Sequence, residues 1–295
     1  MARITQGQRM PVFNTESEKD ISILLPTRGR PELMFASLST LVTLADDNSR
    51  IEYLIAIDDD DDETKQFIEA TLLPWFEEQD IDLTVFAMPR KGYGRLNEYV
   101  NFLGAHSKGA WLIFWNDDAQ MRSPGWDTEV ASKKGQLKIF RFKDNHNDHP
   151  YAIFPIIPRE WYVLFECCSP QQQSDAWISQ VGYLCDSVEK LNSEVVHDRA
   201  DLTGNNDDEI YQTRVYHEGN IDNPLDLNHP KFHMLKQHYA AKWNWLLTLA
   251  GQGNGWWEKV SSGEVNPWEK MLENDPNKQI AITPIPKEKM EQYGS

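Results

Sequence analysis

The stretch "AWLIFWNDDAQM", Ala110 to Met121, decides how the rest of the chain is read. From Ala110 to Trp115 every residue is apolar or aromatic, the pattern of a strand covered on both faces. The run stops abruptly at Asn116, Asp117 and Asp118. Adjacent carboxylates repel each other unless water, a cation or a donor group offsets the charge. A solvated loop is the plain reading, because 46 of 295 residues are acidic and neighbouring acids arise by chance. The surroundings of the stretch must decide.

Working outward, three more strands of this kind precede it. "ISILLP" (Ile21–Pro26), "IEYLIAI" (Ile51–Ile57) and "DLTVFAM" (Asp82–Met88) are short and mostly apolar. Helical segments follow them. One starts at Pro31, which suits a first helical turn, with Leu33, Leu38, Leu41 and Leu44 on one stripe. Others are expected over Thr64–Glu77 and Arg95–His106. Strand and helix thus alternate with short connections, which predicts an α/β fold with a parallel sheet covered by helices. Ligands bind at the carboxyl ends of such strands. The polar clusters fall there: Thr27-Arg28-Gly29-Arg30, Asp58 to Asp62, Arg90-Lys91-Gly92, and Asn116-Asp117-Asp118.

Beyond Gly125 the pattern loosens. "QLKIFRF" and "YAIFPII" read as strands, and Arg159–Glu166, Asp175–Leu191 and Lys231–Ala250 as helices. Trp243 reads as core, whereas Trp256 and Trp257 could pack or could stack on a sugar. Two parts are expected: an α/β domain over 1–220, and a helical, Trp-rich extension over 221–295 packed on it. The final Pro-containing residues should wrap or fray.

Composition narrows the classes. A net charge of −17 argues against a protein that coats nucleic acid. Arg28, Arg30, Arg90, Lys91 and Arg95 could still build a local basic cleft. Cys167, Cys168 and Cys185 are odd in number and lack metal-ligand spacing, so reduced packing cysteines are expected. With no apolar leader and no run near the roughly 18 residues of a membrane helix, a cytoplasmic protein without a membrane span is expected.

Carboxylates without paired His or Cys suit Mg²⁺ or Mn²⁺, which take one or two carboxylates and complete their shell with phosphate oxygens. The order Pro26-Thr27-Arg28-x-Arg30, Ile57-Asp58-Asp59, Gly92-x-Gly94-Arg95-x-Asn97 and Asn116-Asp117-Asp118 resembles the GT-A nucleotide-sugar glycosyltransferases of the family-2-like group. The resemblance runs from about Ile21 to Arg214. It implies a metal-dependent, inverting transfer of a sugar (hexosyl or pentosyl) from a nucleoside-diphosphate donor to an acceptor hydroxyl on a saccharide, a protein or modified nucleic acid. Pro26, Thr27, Arg28, Arg30, Asp58, Asp59, Arg95, Asn97, Asn116 and Asp117 would then bind the donor.

Asp118 and His197 would hold the metal, with His217 in reserve, and Asp175 would be the base, with Glu166 a weaker substitute. Asn116-x-Asp118 departs from the family's D-x-D at its first position, and Asp58 to Asp62 from its Asp-Asp-Gly-Ser. Asp60 to Asp62 could equally be a solvated turn capping the helix at Thr64. Ser174 or Asp175 could equally cap a helix. The rival readings are a sugar nucleotidylyltransferase, whose Gly-rich loop is missing from the first strand, and a non-catalytic carbohydrate- or partner-binding protein on the same fold.

Overall fold

The computed structural model describes residues 17–144, 150–198, 204, 212 and 230–273. Strands β1 (Lys19–Thr27), β2 (Ile51–Asp58), β3 (Asp82–Met88) and β4 (Gly109–Phe114) lie in the order β3-β2-β1-β4, all parallel. Side chains alternate across these strands; β1, β2 and β4 are covered on both faces, whereas β3 at the sheet edge is largely half-buried or exposed. Ile21, Ile23, Leu25, Tyr53, Ile55, Trp111 and Ile113 enter one core, and Leu24, Leu54, Leu112 and Phe114 the other. This is why the runs of β1, β2 and β4 read as almost continuously hydrophobic.

Helix α1 (Pro31–Leu44) buries Met34, Ser37, Leu38, Leu41 and Val42, while Leu33 and Leu44 of the expected stripe are half-buried. The helix expected over Thr64–Glu77 is α2 (Asp62–Phe67), a π turn (Ile68–Leu72) and α3 (Leu73–Glu78) in succession. Pro74, in the first turn of α3, cannot donate to the ladder, which accounts for the widened turn before it. Helix α4 (Leu96–His106) returns the chain to β4.

The second half of the sheet is mixed where the first is wholly parallel, so the sheet as a whole is mainly parallel, as expected. Strands β5 (Ala119–Met121), β6 (Ile139–Asp144), β7 (Ile156–Pro158) and β8 (Val188–His197) extend it as β4-β7-β6-β8-β5. β7 runs antiparallel to β4 and β6, β8 parallel to β6, and β5 antiparallel to β8. The helix expected over Asp175–Leu191 is α7 (Ser174–Leu184), which stops before Asp186 turns left-handed at φ 52°. β8 follows, burying Leu191, Ser193, Val195 and His197 at a strand's period of two. β5 and α5 (Trp126–Ala131) add to the expected elements, and α6 (Arg159–Phe165) is the helix expected over Arg159–Glu166.

Helices α8 (Pro230–Leu249), α9 (Trp256–Ser262) and α10 (Pro267–Glu273) complete the described chain. Trp243 is fully buried, 5.2 Å edge-on to Trp161, and donates to Ser187 Oγ at 3.0 Å. Tyr239 stacks on Phe165 at 4.2 Å. The extension therefore shares a core with α6 and α7. Trp256 donates to the Tyr183 carbonyl at 3.1 Å and Trp257 packs on the same core. The expected domain boundary at 220, the C-terminal tail and His217 lie outside the described residues. The three cysteines are free thiols.

Candidate active site

The register of β1, β2 and β4 brings the turns after Thr27, Asp58 and Trp115 to one edge of the sheet. Gly29, at φ 61°, makes the first of these turns, and its N–H donates to Asp61 Oδ2 at 2.7 Å. Asp61 also caps α2 by accepting from Thr64 N at 3.1 Å. Of the acids left open between solvated turn and site, Asp61 is thus a structural cap.

Asp58 is buried. Its carboxylate accepts from Arg28 Nη1 at 3.0 Å and from the Tyr99 hydroxyl, which in turn accepts from Lys91 N at 2.7 Å. Burial and the Asp58 charge push the Tyr99 phenol up to about 12. Asp59 is exposed and pairs through its backbone with Met88. Asp60 binds Arg28 and lies 3.8 Å from Arg90.

Arg30 donates to Asp117 Oδ1 at 3.2 Å, and Thr27 Oγ1 donates to Asp117 Oδ2 at 2.7 Å. Arg95 and Lys91 both reach Glu98, at 3.3 and 3.2 Å. Each arginine or lysine of the expected basic cleft therefore already has an acid beside it. Asn97 donates to the Ser169 carbonyl at 3.4 Å, and Pro26 is half-buried in β1. Arg95 stands exposed in the turn before α4.

The turn from Trp115 to Ala119 is fastened by α1. Ser37 Oγ accepts from Trp115 Nε1 at 2.8 Å and donates to the Asn116 carbonyl at 3.0 Å. β5 then pairs with β8, placing Ala119 opposite His197, while Asp198 N donates to the Asp118 carbonyl at 2.8 Å. That register is what brings residues so distant in sequence together. His197 Nε2 lies 3.0 Å from Asp118 Oδ1 and 3.5 Å from Asn116 Nδ2. Asp118 Oδ1 and His197 Nδ1, the ring nitrogen turned away from Asp118, are buried without a hydrogen-bond partner among the described residues.

Burial and the neighbouring Asp118 charge push the Asp117 carboxyl up to about 6. Burial also acts to raise Asp118, but His197 and Arg30 outweigh it and hold that carboxyl below its ordinary value. The two acids thus divide. Asp117 is a clamp between turns, and Asp118 keeps the ionised oxygen.

These residues fit a hard divalent cation. Adjacent ligands on an octahedral ion with bonds of about 2.1 Å stand about 3.0 Å apart, as Asp118 Oδ1 and His197 Nε2 do. No group of three or more His, Cys, Asp or Glu able to hold a metal occurs among the described residues. Substrate oxygens and water would complete the shell.

Asp175 stands in the first turn of α7, half-exposed, and its carboxylate has no hydrogen bond or ion pair among the described residues. Neither Ser174 nor Asp175 caps the helix, whose N-cap is Gln173 without a side-chain bond. Glu166 is an exposed, left-handed C-cap of α6. Sequence reasoning missed Tyr99 and Ser37, since a helical tyrosine and serine give no sign of what they reach.

No protein-family model matches the chain, and no protein with a curated description does. Among solved structures, it is similar to the mannosyltransferase PcManGT from Pyrobaculum calidifontis in complex with GDP-Man and Mn²⁺. The TM-score is 0.50 at 12% identity, over 88% of this chain and 86% of that one. The chain has the GT-A fold of nucleotide-sugar glycosyltransferases. It is also similar to TarS of S. aureus, with TM-score 0.48 and 12% identity, over 87% of this chain and 81% of that one. The mixed eight-stranded sheet under helices is the GT-A architecture, and the acidic turns lie beyond the carboxyl ends of its parallel strands. Among the described residues no helix is long and apolar enough to cross a membrane.

Proposed function

We propose that this protein is a metal-dependent glycosyltransferase that moves a sugar from a nucleoside-diphosphate donor to an acceptor hydroxyl with inversion. One observation carries the reading. On a GT-A fold, Asp118 Oδ1 and His197 Nε2 stand 3.0 Å apart beyond the carboxyl ends of the parallel strands, the carboxylate oxygen buried and without a hydrogen-bond partner among the described residues. Mn²⁺ or Mg²⁺ held there, with the exposed Asn116 amide at its margin, would supply positive charge against the donor diphosphate.

The remaining work falls to the chain. Asp58, Arg28 and Tyr99 shape the floor where the nucleoside would lie, with Asp59 exposed at its rim. Pro26, Thr27 and Arg30 set the turn facing it, and Arg95 and Asn97 flank it from the start of α4. Asp175 takes the proton of the acceptor hydroxyl as that oxygen bonds to the anomeric carbon. The bond from that carbon to the diphosphate oxygen breaks, and the nucleoside diphosphate leaves with the electron pair.

The test is a melting-temperature screen with UDP and GDP, free and as UDP-GlcNAc and GDP-Man, with and without Mn²⁺. Stabilisation by a nucleoside diphosphate that grows with Mn²⁺ is expected, and none with any of them would overturn the reading. Turnover releasing pyrophosphate would favour a nucleotidylyltransferase, and binding without turnover a non-catalytic protein.

A further inference from the structure

The loop between α6 and α7 is pinned by α4. Asn101 accepts from the backbone N–H groups of Cys168 and Ser169 at 2.8 and 2.9 Å, and donates to the Ser169 carbonyl at 2.8 Å. Ser169 Oγ donates to the Gln171 carbonyl at 2.7 Å, and Gln171 Oε1 accepts from Gln173 N at 2.5 Å. Gln172 breaks this pattern. It is 5% exposed, and neither Oε1 nor Nε2 has a hydrogen-bond partner.

The indole nitrogens of Trp111 and Trp177 are also unmatched, but each is a single donor on a large apolar ring. A primary amide carries two donors and an oxygen with two lone pairs, so leaving it dry costs far more. Such groups in native proteins are matched by protein, by water or by a ligand. Gln172 immediately precedes the N-cap of α7 and stands three residues before Asp175, whose carboxylate is also unmatched. Amide and carboxylate belong to one pinned turn. With the backbone pinned, presenting the amide takes side-chain rotation and no movement of the turn.

We propose that Gln172 is a specificity-determining residue whose amide oxygen and nitrogen hydrogen-bond to neighbouring hydroxyls of the sugar at the transfer site. This rests on the glycosyltransferase reading. A neutral amide matches a neutral diol, accepting from one hydroxyl and donating to the next. The diol belongs either to the donor sugar or to a saccharide acceptor.

The test compares wild type with Gln172→Leu by calorimetry in Mn²⁺, using UDP, GDP, UDP-GlcNAc and GDP-Man, together with acceptor kinetics. Affinity for the free diphosphates should not change. Affinity for the matching sugar ester should fall about 10- to 100-fold if the donor sugar is read. If the acceptor is read, donor affinities hold and the acceptor KM rises by a similar factor at unchanged kcat. In either case the ligand-free variant should melt at or above the wild-type temperature, since an unmatched amide has been replaced by an apolar group of similar size.

Unchanged sugar affinity and unchanged acceptor KM would overturn the proposal, whatever the melting temperature does. Retained diphosphate binding in that outcome leaves the glycosyltransferase reading standing. Absence of diphosphate binding by wild type defeats both. Gln172→Met, which keeps the unbranched shape, carries the same measurements if the leucine variant does not melt cooperatively.

Discussion

β2 runs into five consecutive aspartates, Asp58 to Asp62, and β4 into Asn116, Asp117 and Asp118, yet the two turns hold their charge differently. In the longer run, Arg28 and Tyr99 hold Asp58, Arg28 and Arg90 face Asp60, and Asp61 closes onto Gly29 and Thr64. In the shorter run, Thr27 and Arg30 take up Asp117, and Asp118 is left with His197 and an unmatched buried oxygen. The number of acids in a run therefore says little about its chemistry. What divides them is the supply of donors from neighbouring turns.

The strongest way to break this contrast is to remove one acid from each turn. Asp118→Ala should lower transfer by roughly 10³-fold or more, the scale of losing preorganised charge stabilisation at a reacting group. It should also abolish the Mn²⁺-dependent part of nucleoside-diphosphate affinity in calorimetry, with cooperative melting kept. Asp60→Ala, exposed and paired only with arginines, should leave that metal dependence intact. Equal loss in both variants would mean that the longer run holds the metal.

Asp175→Asn comes next and separates an enzyme from a binder. The amide keeps the shape but cannot take a proton, so transfer should fall by roughly 10²–10⁴-fold with donor affinity preserved. Its carboxylate makes no cap in the structure, so melting should hardly move. Anomeric-proton NMR should show inverted product; retained configuration would remove Asp175 from the role of single base.

The clamp itself can be tested by stability. Arg30→Ala leaves the Asp117 carboxylate facing burial with only Thr27, and about 3 kcal/mol of unfolding free energy should be lost in urea titration. Replacing Arg30 and Asp117 together by apolar residues of similar size should recover much of it, because no unpaired charge then remains. Recovery would show that the pair stabilises the turns only jointly.

How much of this was legible follows from the physics of each segment. β1, β2 and β4 were readable because burial on both faces forces nearly unbroken apolar runs, as in Ile51–Ile57 and Ala110–Trp115. β5 was not, because three residues behind a charged turn carry too few periods to register. The helix at Asp175–Leu191 is overlong because β8 already begins at Val188, where Leu191, Ser193, Val195 and His197 alternate as in a strand. Within the site, Asp118 and His197 were named from a family resemblance, and the register of β5 on β8 is what joins them. The partners of Asp58 and Asp117 were not legible, since no local pattern tells which arginine turns toward which acid.

The smallest expected effect sharpens the contrast from its structural side. Asp61 and Asp62 are adjacent and identical in type, but Asp61 is buried with two backbone N–H donors while the Asp62 side chain is 82% exposed. Asp61→Ala loses a helix cap and also releases Gly29, so about 1–2 kcal/mol of stability should go. Asp61→Asn keeps one acceptor oxygen for the cap and should fall between that variant and wild type. Asp62→Ala removes only a surface pair with Lys65 and should not shift the urea midpoint measurably. The Gly29 bond adds a second readout. Because the same carboxylate fixes the turn that carries Arg28 and Arg30, Asp61→Ala should weaken nucleoside-diphosphate binding several-fold, and Asp62→Ala should not. Equal midpoints for Asp61→Ala and Asp62→Ala would show that both acids sit in water and that the turn after β1 is held by something else.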